Sequence, residues 1–293
     1  MSILLERYRN GNYTVELYDD GTKIRYTNND EFISEFPENI DVKITNYCDA
    51  GCAYCHENST VEGLHGDLNA KFFDTLRTGT ELAIGGGNPL SHPKLVPFLR
   101  RIKDQGVISN LTVNQIHFEK SQELIDMLVT DGLIKGLGIS FMRYSDKFIR
   151  AVQKYDNAVL HVINGVVNLK ELEKLYNSNL KLLILGYKYL RRGESYYSPK
   201  VEDKKQEIYD NIHKIIKGFK VVSFDNLAIE QLNIRRLFTK DDWEKFYMGD
   251  DGNFTMYVDV VKKEFAISST SLKRYKLMDR IDDMFKVVKS QIA

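Results

Sequence analysis

Cys48-Asp49-Ala50-Gly51-Cys52-Ala53-Tyr54-Cys55 holds all three cysteines of the chain, in the order C-x-x-x-C-x-x-C. Thiols this close are poorly placed for disulfides, because so short a loop strains the bridge geometry. They are well placed to grip one soft metal centre, since thiolates select iron–sulfur clusters, zinc or copper(I). The count carries further information. Each iron of a [4Fe–4S] cluster wants a ligand, so three cysteines leave one iron open to an exogenous molecule. A structural zinc site closes with four protein ligands, and here the fourth would be a histidine such as His56.

The stretch directly follows Ile40–Thr45, which reads as a strand, so the cysteines fall at a strand's carboxyl end. Beyond them strand and helix alternate. Helices are expected at Asn69–Thr78, Pro93–Gln105, Glu119–Thr130, Ser145–Tyr155, Leu169–Tyr176 and Glu202–Lys217. Strands are expected at Glu81–Ile84, Asn110–Asn114, Gly136–Phe141, Ala158–Ile163, Leu180–Tyr187 and Lys220–Phe224. Seven such β/α repeats, or nearly so, imply parallel strands covered by helices. The expected fold is α/β, a complete or partial β/α barrel with its active site at the carboxyl ends of the strands.

The flanks read differently. Alternation on both sides of Asp19-Asp20-Gly21 predicts a β-hairpin from residues 13–18 and 22–27, outside the main sheet. Phe254–Val261 and Lys263–Ser268 read as an antiparallel pair, followed by a helix from Leu272 to about Val288. The chain is thus expected to be one domain. Residues 1–38 form an N-terminal hairpin extension, 39–230 the barrel core and 231–293 a C-terminal cover of hairpin and helix.

Composition excludes several classes. With 43% hydrophobic and 28% charged residues, the chain of 293 is ordinary for a globular protein. Lysine plus arginine balance the acidic residues at 41 each, which gives no global reason to expect a nucleic acid or membrane partner. Local imbalance is modest: 5 basic against 11 acidic residues over 1–60, and 9 against 5 over 188–220. The N-terminus lacks a secretory signature, and no apolar run approaches the ~20 residues of a membrane span. Clustered cysteines without a disulfide framework point to a reducing cytoplasm.

With Tyr54 just before the last cysteine, the spacing resembles the radical S-adenosylmethionine enzymes. The resemblance implies that Cys48, Cys52 and Cys55 ligate a [4Fe–4S] cluster whose open iron binds S-adenosylmethionine. It implies reductive cleavage of that cofactor to a 5′-deoxyadenosyl radical, which takes a hydrogen from substrate. It also implies oxygen sensitivity and an external one-electron reductant of flavodoxin or ferredoxin type.

Other stretches are similar to the same family's pattern. Gly86-Gly87-Asn88-Pro89 stands where the family commonly has Gly-Gly-Glu-Pro, a loop that holds the methionine ammonium. An asparagine there still accepts a hydrogen bond, without the charge of a carboxylate. Ile163 and Gly165 match two positions of a glycine-containing pattern set against adenine, where His161 and Asn168 replace the others. Asn114 and Ser140, at strand ends, match polar positions used toward ribose and carboxylate. Tyr54 completes the expected cofactor set.

After the sixth strand, Tyr187, Lys188, Arg191 and Arg192 are placed to meet an anionic substrate, since arginine pairs well with carboxylate or phosphate. Asp225 and Glu230 lie near the seventh. No catalytic residue is assigned. All the cysteine is consumed by one cluster, so auxiliary clusters and a cysteine hydrogen donor are not expected. A small or nucleotide-like molecule is expected as substrate, ahead of a protein or polynucleotide. Two alternatives remain: an activase that forms a glycyl radical on a partner protein, and a non-catalytic zinc-binding regulatory barrel using His56.

Overall fold

The computed structural model describes residues 2–292. They begin with a separate three-stranded antiparallel sheet, β1 (Leu4–Asn10), β2 (Tyr13–Tyr18) and β3 (Lys23–Tyr26). The β2–β3 hairpin turns at Asp19-Asp20-Gly21 as expected, with Gly21 at a φ of +90°. Strand β1 is an addition to that expectation. Asn10 pairs with Tyr13, so Gly11-Asn12 is a two-residue turn with Gly11 at φ +59°. A side chain on Gly11 would run into the Ile33 carbonyl.

The main sheet starts at β4 (Asn39–Thr45), which leads into the cysteines. It continues through β5 (Glu81–Gly86), β6 (Ile108–Asn114), β7 (Gly136–Ser140), β8 (Ala158–Ile163), β9 (Lys181–Leu185) and β10 (Val221–Phe224). Each lies parallel to the strand before it. Parallel neighbours need crossovers, and helices supply them. These are α1 (Leu95–Asp104), α2 (Gln115–Lys120), α3 (Gln122–Thr130), α4 (Asp146–Val152), α5 (Leu169–Glu173), α6 (Arg192–Tyr196) and α7 (Pro199–Gly218). Ser145 caps α4 by accepting from the Phe148 amide at 3.2 Å, the predicted start signal.

Past β10 come two short helices, α8 (Asn226–Gln231) and α9 (Lys240–Phe246). Next are β11 (Thr255–Asp259), β12 (Glu264–Ala266), β13 (Tyr275–Lys276) and the closing helix α10 (Ile281–Lys289). The expected β11–β12 pair is antiparallel. Beyond that, β11 joins the free flank of β4 in parallel, so the sheet runs β10-β9-β8-β7-β6-β5-β4-β11-β12-β13. This open sheet of ten strands is a partial barrel.

Three predicted helices differ. Asn69–Thr78 shrinks to a 3-10 turn, Lys71–Thr75, whose adjacent Phe72 and Phe73 are both fully buried. Glu119–Thr130 is shifted and divided at Ser121 into α2 and α3. The last helix begins at Ile281 and not at Leu272, since Tyr275 and Lys276 are drawn into pairing with β12.

Alternation within the strands sorts two environments. Ile40, Val42 and Ile44 are buried toward the helices in the main apolar core, while Asp41 and Lys43 face the other way. The inner faces of β5 to β10 converge on a cavity of about 620 Å³, with Ala83, Asn110, Thr112, Gly138 and His161 in its wall. The β2–β3 turn closes its lower end through Asp19, Asp20 and Thr22. The lumen wall mixes polar and charged side chains with apolar ones, and Ala83 and Gly138 add little bulk. That leaves room inside, unlike a barrel filled by branched side chains.

Candidate cofactor site

The carboxyl ends of the parallel strands gather the residues singled out in the sequence. Thr45 ends β4, and three residues later Cys48 opens a compact loop. The Cys48 amide donates to the Thr60 carbonyl at 2.8 Å, and the Thr60 amide returns to Asn46 at 3.1 Å. Inside this closure Cys55 donates to Cys52 at 3.3 Å and Asn58 to Cys55 at 3.1 Å. All three thiols are free and half-buried. Burial pushes the Cys48 and Cys52 thiols up, a bias that bound iron reverses by deprotonating its ligands.

Among the described residues, no three Cys, His, Asp or Glu side chains converge on a single metal ion. A mononuclear zinc site needs that convergence, whereas cluster ligands each meet a different iron and stand further apart. His56 is otherwise engaged. Its Nε2 lies 3.4 Å from Glu57 Oε1 and 3.5 Å from Lys188 Nζ.

The β5 loop packs directly on this segment. The Gly87 amide donates to the Thr45 carbonyl at 2.8 Å, and the Asn88 amide to the Tyr47 carbonyl at 2.7 Å. A Cβ on Gly86 would strike the Thr45 carbonyl, and one on Gly87 the Tyr47 carbonyl. Gly86 also sits at φ +115°, so both glycines are required for this approach. The Asn88 side-chain oxygen is buried without a partner. An acceptor left open there suits an ammonium arriving from the lumen.

Asn114 caps α2 by accepting from the Ile116 amide at 2.9 Å, and its amide nitrogen lies 3.7 Å from Cys52 Sγ. Ser140 is half-buried at the end of β7. Gly165, at φ +87°, is buried against α7, and a Cβ would press on Val201 and Lys205. Helix packing alone therefore requires glycine at that position. Tyr54 packs edge-on against Tyr196 at 5.7 Å.

The expected substrate residues are engaged with the protein itself. The Tyr187 hydroxyl is buried and donates to the Gly193 carbonyl at 2.5 Å. Lys188 Nζ donates to Ser269 Oγ at 2.8 Å. Arg191 donates to the His56 carbonyl at 2.5 Å and Arg192 to the Ser59 carbonyl at 2.6 Å. Asp225 caps α8 through the Ala228 amide and takes the Gly186 amide, both at 2.8 Å. Glu230 is exposed on α8.

Sequence reasoning missed a buried ionic group beside the loop. Lys43 Nζ lies 2.6 Å from Glu57 Oε2 and 3.3 Å from Asp259 Oδ2. Burial alone would raise the Glu57 carboxyl, but His56 and Lys43 outweigh it and hold the group well below the usual carboxylate range. A buried lysine on the inner face of β4, beside Asp41, was the local signal. Its partner Asp259 arrives from β11, more than two hundred residues away. Asp49, within the loop, meets buried His117 of α2 at 2.6 Å.

No family model matches the sequence, and no curated protein matches it either. Solved structures do. Streptococcus suis SuiB bound to its precursor peptide SuiA superposes with a TM-score of 0.61 at 12% identity, covering 86% of this chain and 65% of that one. SuiB bound to S-adenosylmethionine gives 0.58 at 9% identity, over 89% and 67%. Native anSMEcpe with bound S-adenosylmethionine and the Cp18Cys peptide gives 0.50 at 13% identity, over 85% and 79%. In the best of these superpositions the chain spans 65% of SuiB's length, so less than two thirds. The chain thus has the fold of SuiB and anSMEcpe, the partial β/α barrel that the resemblance to the radical S-adenosylmethionine enzymes implies.

Proposed function

We propose that the chain is a radical S-adenosylmethionine enzyme, with Cys48, Cys52 and Cys55 as ligands of a [4Fe–4S] cluster. The observation that carries this reading is the packing of Gly86-Gly87-Asn88 on the root of the cysteine loop, with the Asn88 acceptor buried and unpaired beside it. Together, cluster and S-adenosylmethionine supply a 5′-deoxyadenosyl radical when reduced by an external one-electron donor. Asn88 accepts from the methionine ammonium, and Asn114 lies against Cys52 where it screens that side of the site. The rim of β-strand ends and the loop after β9 keep bulk water from the reacting atoms.

Lys188, Arg191 and Arg192 were the basis for expecting an anionic substrate. Each of these groups also spends a donor within the protein, on His56, Ser59 and Ser269. The inner face of β4 offers one carboxylate, Asp41, whereas the neighbouring Asp225 and Asp251 are bonded to the Gly186 and Ala228 amides and to Asn226. A substrate with a cationic group, presented on a peptide segment or a small molecule, suits this face. The comparison favours a peptide, since SuiB and anSMEcpe are each described with a peptide bound.

The test is anaerobic reconstitution with iron and sulfide. The wild-type chain should turn brown and, with dithionite and S-adenosylmethionine, release 5′-deoxyadenosine. Replacing any one of Cys48, Cys52 or Cys55 with alanine should abolish both properties while leaving the circular-dichroism spectrum intact. A triple alanine variant that kept its iron and sulfide would overturn the assignment.

A further inference from the structure

We propose that Arg191 and Arg192 are positioning residues that fasten the cysteine loop to the barrel and so set how firmly it holds its cluster. This rests on Cys48, Cys52 and Cys55 being the cluster's ligands. The loop after β9 reaches across the strand ends and lies on the segment just beyond Cys55. Arg191 Nη1 donates to the His56 carbonyl at 2.5 Å, and Arg192 Nη2 to the Ser59 carbonyl at 2.6 Å. These are charge-assisted bonds to backbone groups that the loop's own hydrogen bonding leaves free. Both arginines are half-buried, and Arg192 Nε is buried without a hydrogen-bond partner.

Three independent features show that the contact is built and not incidental. Arg191 holds φ +53° and ψ −122°, a backbone conformation that non-glycine residues rarely adopt and that surrounding contacts must maintain. Gly193 next to it permits the tight turn, since a Cβ there would strike the Lys188 carbonyl. Its own carbonyl is held by the buried Tyr187 hydroxyl at 2.5 Å. Tyr196 then packs on Tyr54, between Cys52 and Cys55 in the chain. The far side is anchored as well: Lys188 bonds Ser269, whose carbonyl takes Arg274 Nη2 at 2.7 Å.

A loop pinned at His56 and Ser59 presents Cys55 at a fixed place relative to Cys48 and Cys52, which the Thr60 contact already anchors. Loss of the pins frees the segment 55–60 without disturbing the sheet.

Hydrogen exchange followed by mass spectrometry decides the matter on the apo chain, before any iron is added. In Arg191→Ala, Arg192→Ala and the double variant, peptides covering 48–60 should exchange about tenfold faster or more, with β-strand peptides unchanged. After reconstitution, the same variants should lose iron to a chelator faster than wild type. Arg191→Lys and Arg192→Lys retain a donor at each site and should recover part of the protection, which separates lost pinning from misfolding. Unchanged exchange over 48–60 in the double alanine variant overturns the proposal. Faster exchange with wild-type iron retention overturns the role toward the cluster. Should the wild-type chain take up no iron at all, the cluster assignment falls, whereas the apo exchange comparison still decides whether the pins exist.

Discussion

Asn88 concentrates the chemistry of the site in one atom. Its side-chain oxygen is buried and unpartnered, a condition that costs free energy until a donor arrives. Asn88→Ala should therefore weaken S-adenosylmethionine binding by roughly 1.5–3 kcal/mol, about ten- to a hundredfold, with cluster content unchanged. Asn88→Glu should bind the cofactor at least as well as wild type. It should also be less stable without cofactor, because the new carboxylate would be buried unpaired. Equilibrium dialysis and thermal melts with and without cofactor check both. The position was legible because a glycine pair followed by Asn-Pro at a strand end is a local pattern. Its open valence was not, since only the packing of Tyr47 and the β5 turn shows that none of the described residues fills it.

At the scale of elements, a buried carboxylate is one of the ties between the N-terminal sheet and the barrel. Glu38 is fully buried just before β4. It receives the Tyr13 hydroxyl at 2.6 Å and Arg25 Nε at 2.8 Å, with Lys23 at 3.2 Å. Lys23 continues to Glu81 of β5 at 2.6 Å. Burial by itself would raise the Glu38 carboxyl, but the Arg25 bonds and the Lys23 charge overcome it and leave the group below its ordinary value. A depressed carboxylate stabilises the fold above its unfolded pKa, and that contribution is lost as pH falls through the folded value. Glu38→Gln should cost about 3 kcal/mol near neutral pH, since buried Arg25 loses its carboxylate while Lys23 keeps Glu81. The deficit should shrink in acid, and urea unfolding at the two pH values measures it. The hairpin itself was readable from its Asp-Gly turn and alternation. Strand β1 was not, because charges at Glu6, Arg7 and Arg9 mask its period, and only the neighbouring strand makes it pair.

For the whole molecule the open lumen is the defining feature, and Asp41 reports on it. The side chain alternates with Ile40 and Val42 onto the inner face of β4, where solvent reaches it between the surrounding walls. That enclosure, with Asp251 and Asp225 adding to it and Lys188 opposing it, raises the carboxyl from 3.8 to about 6. A raised acid binds its proton more tightly in the folded state, so stability is greatest below the unfolded pKa and falls as pH rises through the folded one. Asp41→Asn should match wild type at about pH 4 and exceed it at about pH 7 by ~1 kcal/mol, water in the lumen screening the rest. Equal stability of the two proteins at both pH values would show that the carboxyl titrates normally.

The sequence by itself determined the cysteine triad at a strand's end, the hairpin at Gly21, the run of parallel strands from β4 to β10 and the glycine turn after β5. Each depends on spacing or alternation among residues a few positions apart, and the backbone's two periods make such patterns readable. Tertiary structure alone decided the rest. Strand β11 extends the sheet beside β4, Lys43 finds Glu57 and Asp259, and the arginines expected to face a substrate turn back to the cysteine loop. Arg191 and His56 are 135 residues apart in the chain. Whether a guanidinium at a barrel mouth meets substrate or backbone depends on which unpaired carbonyls the curved sheet carries within its reach, and no local pattern encodes that distance.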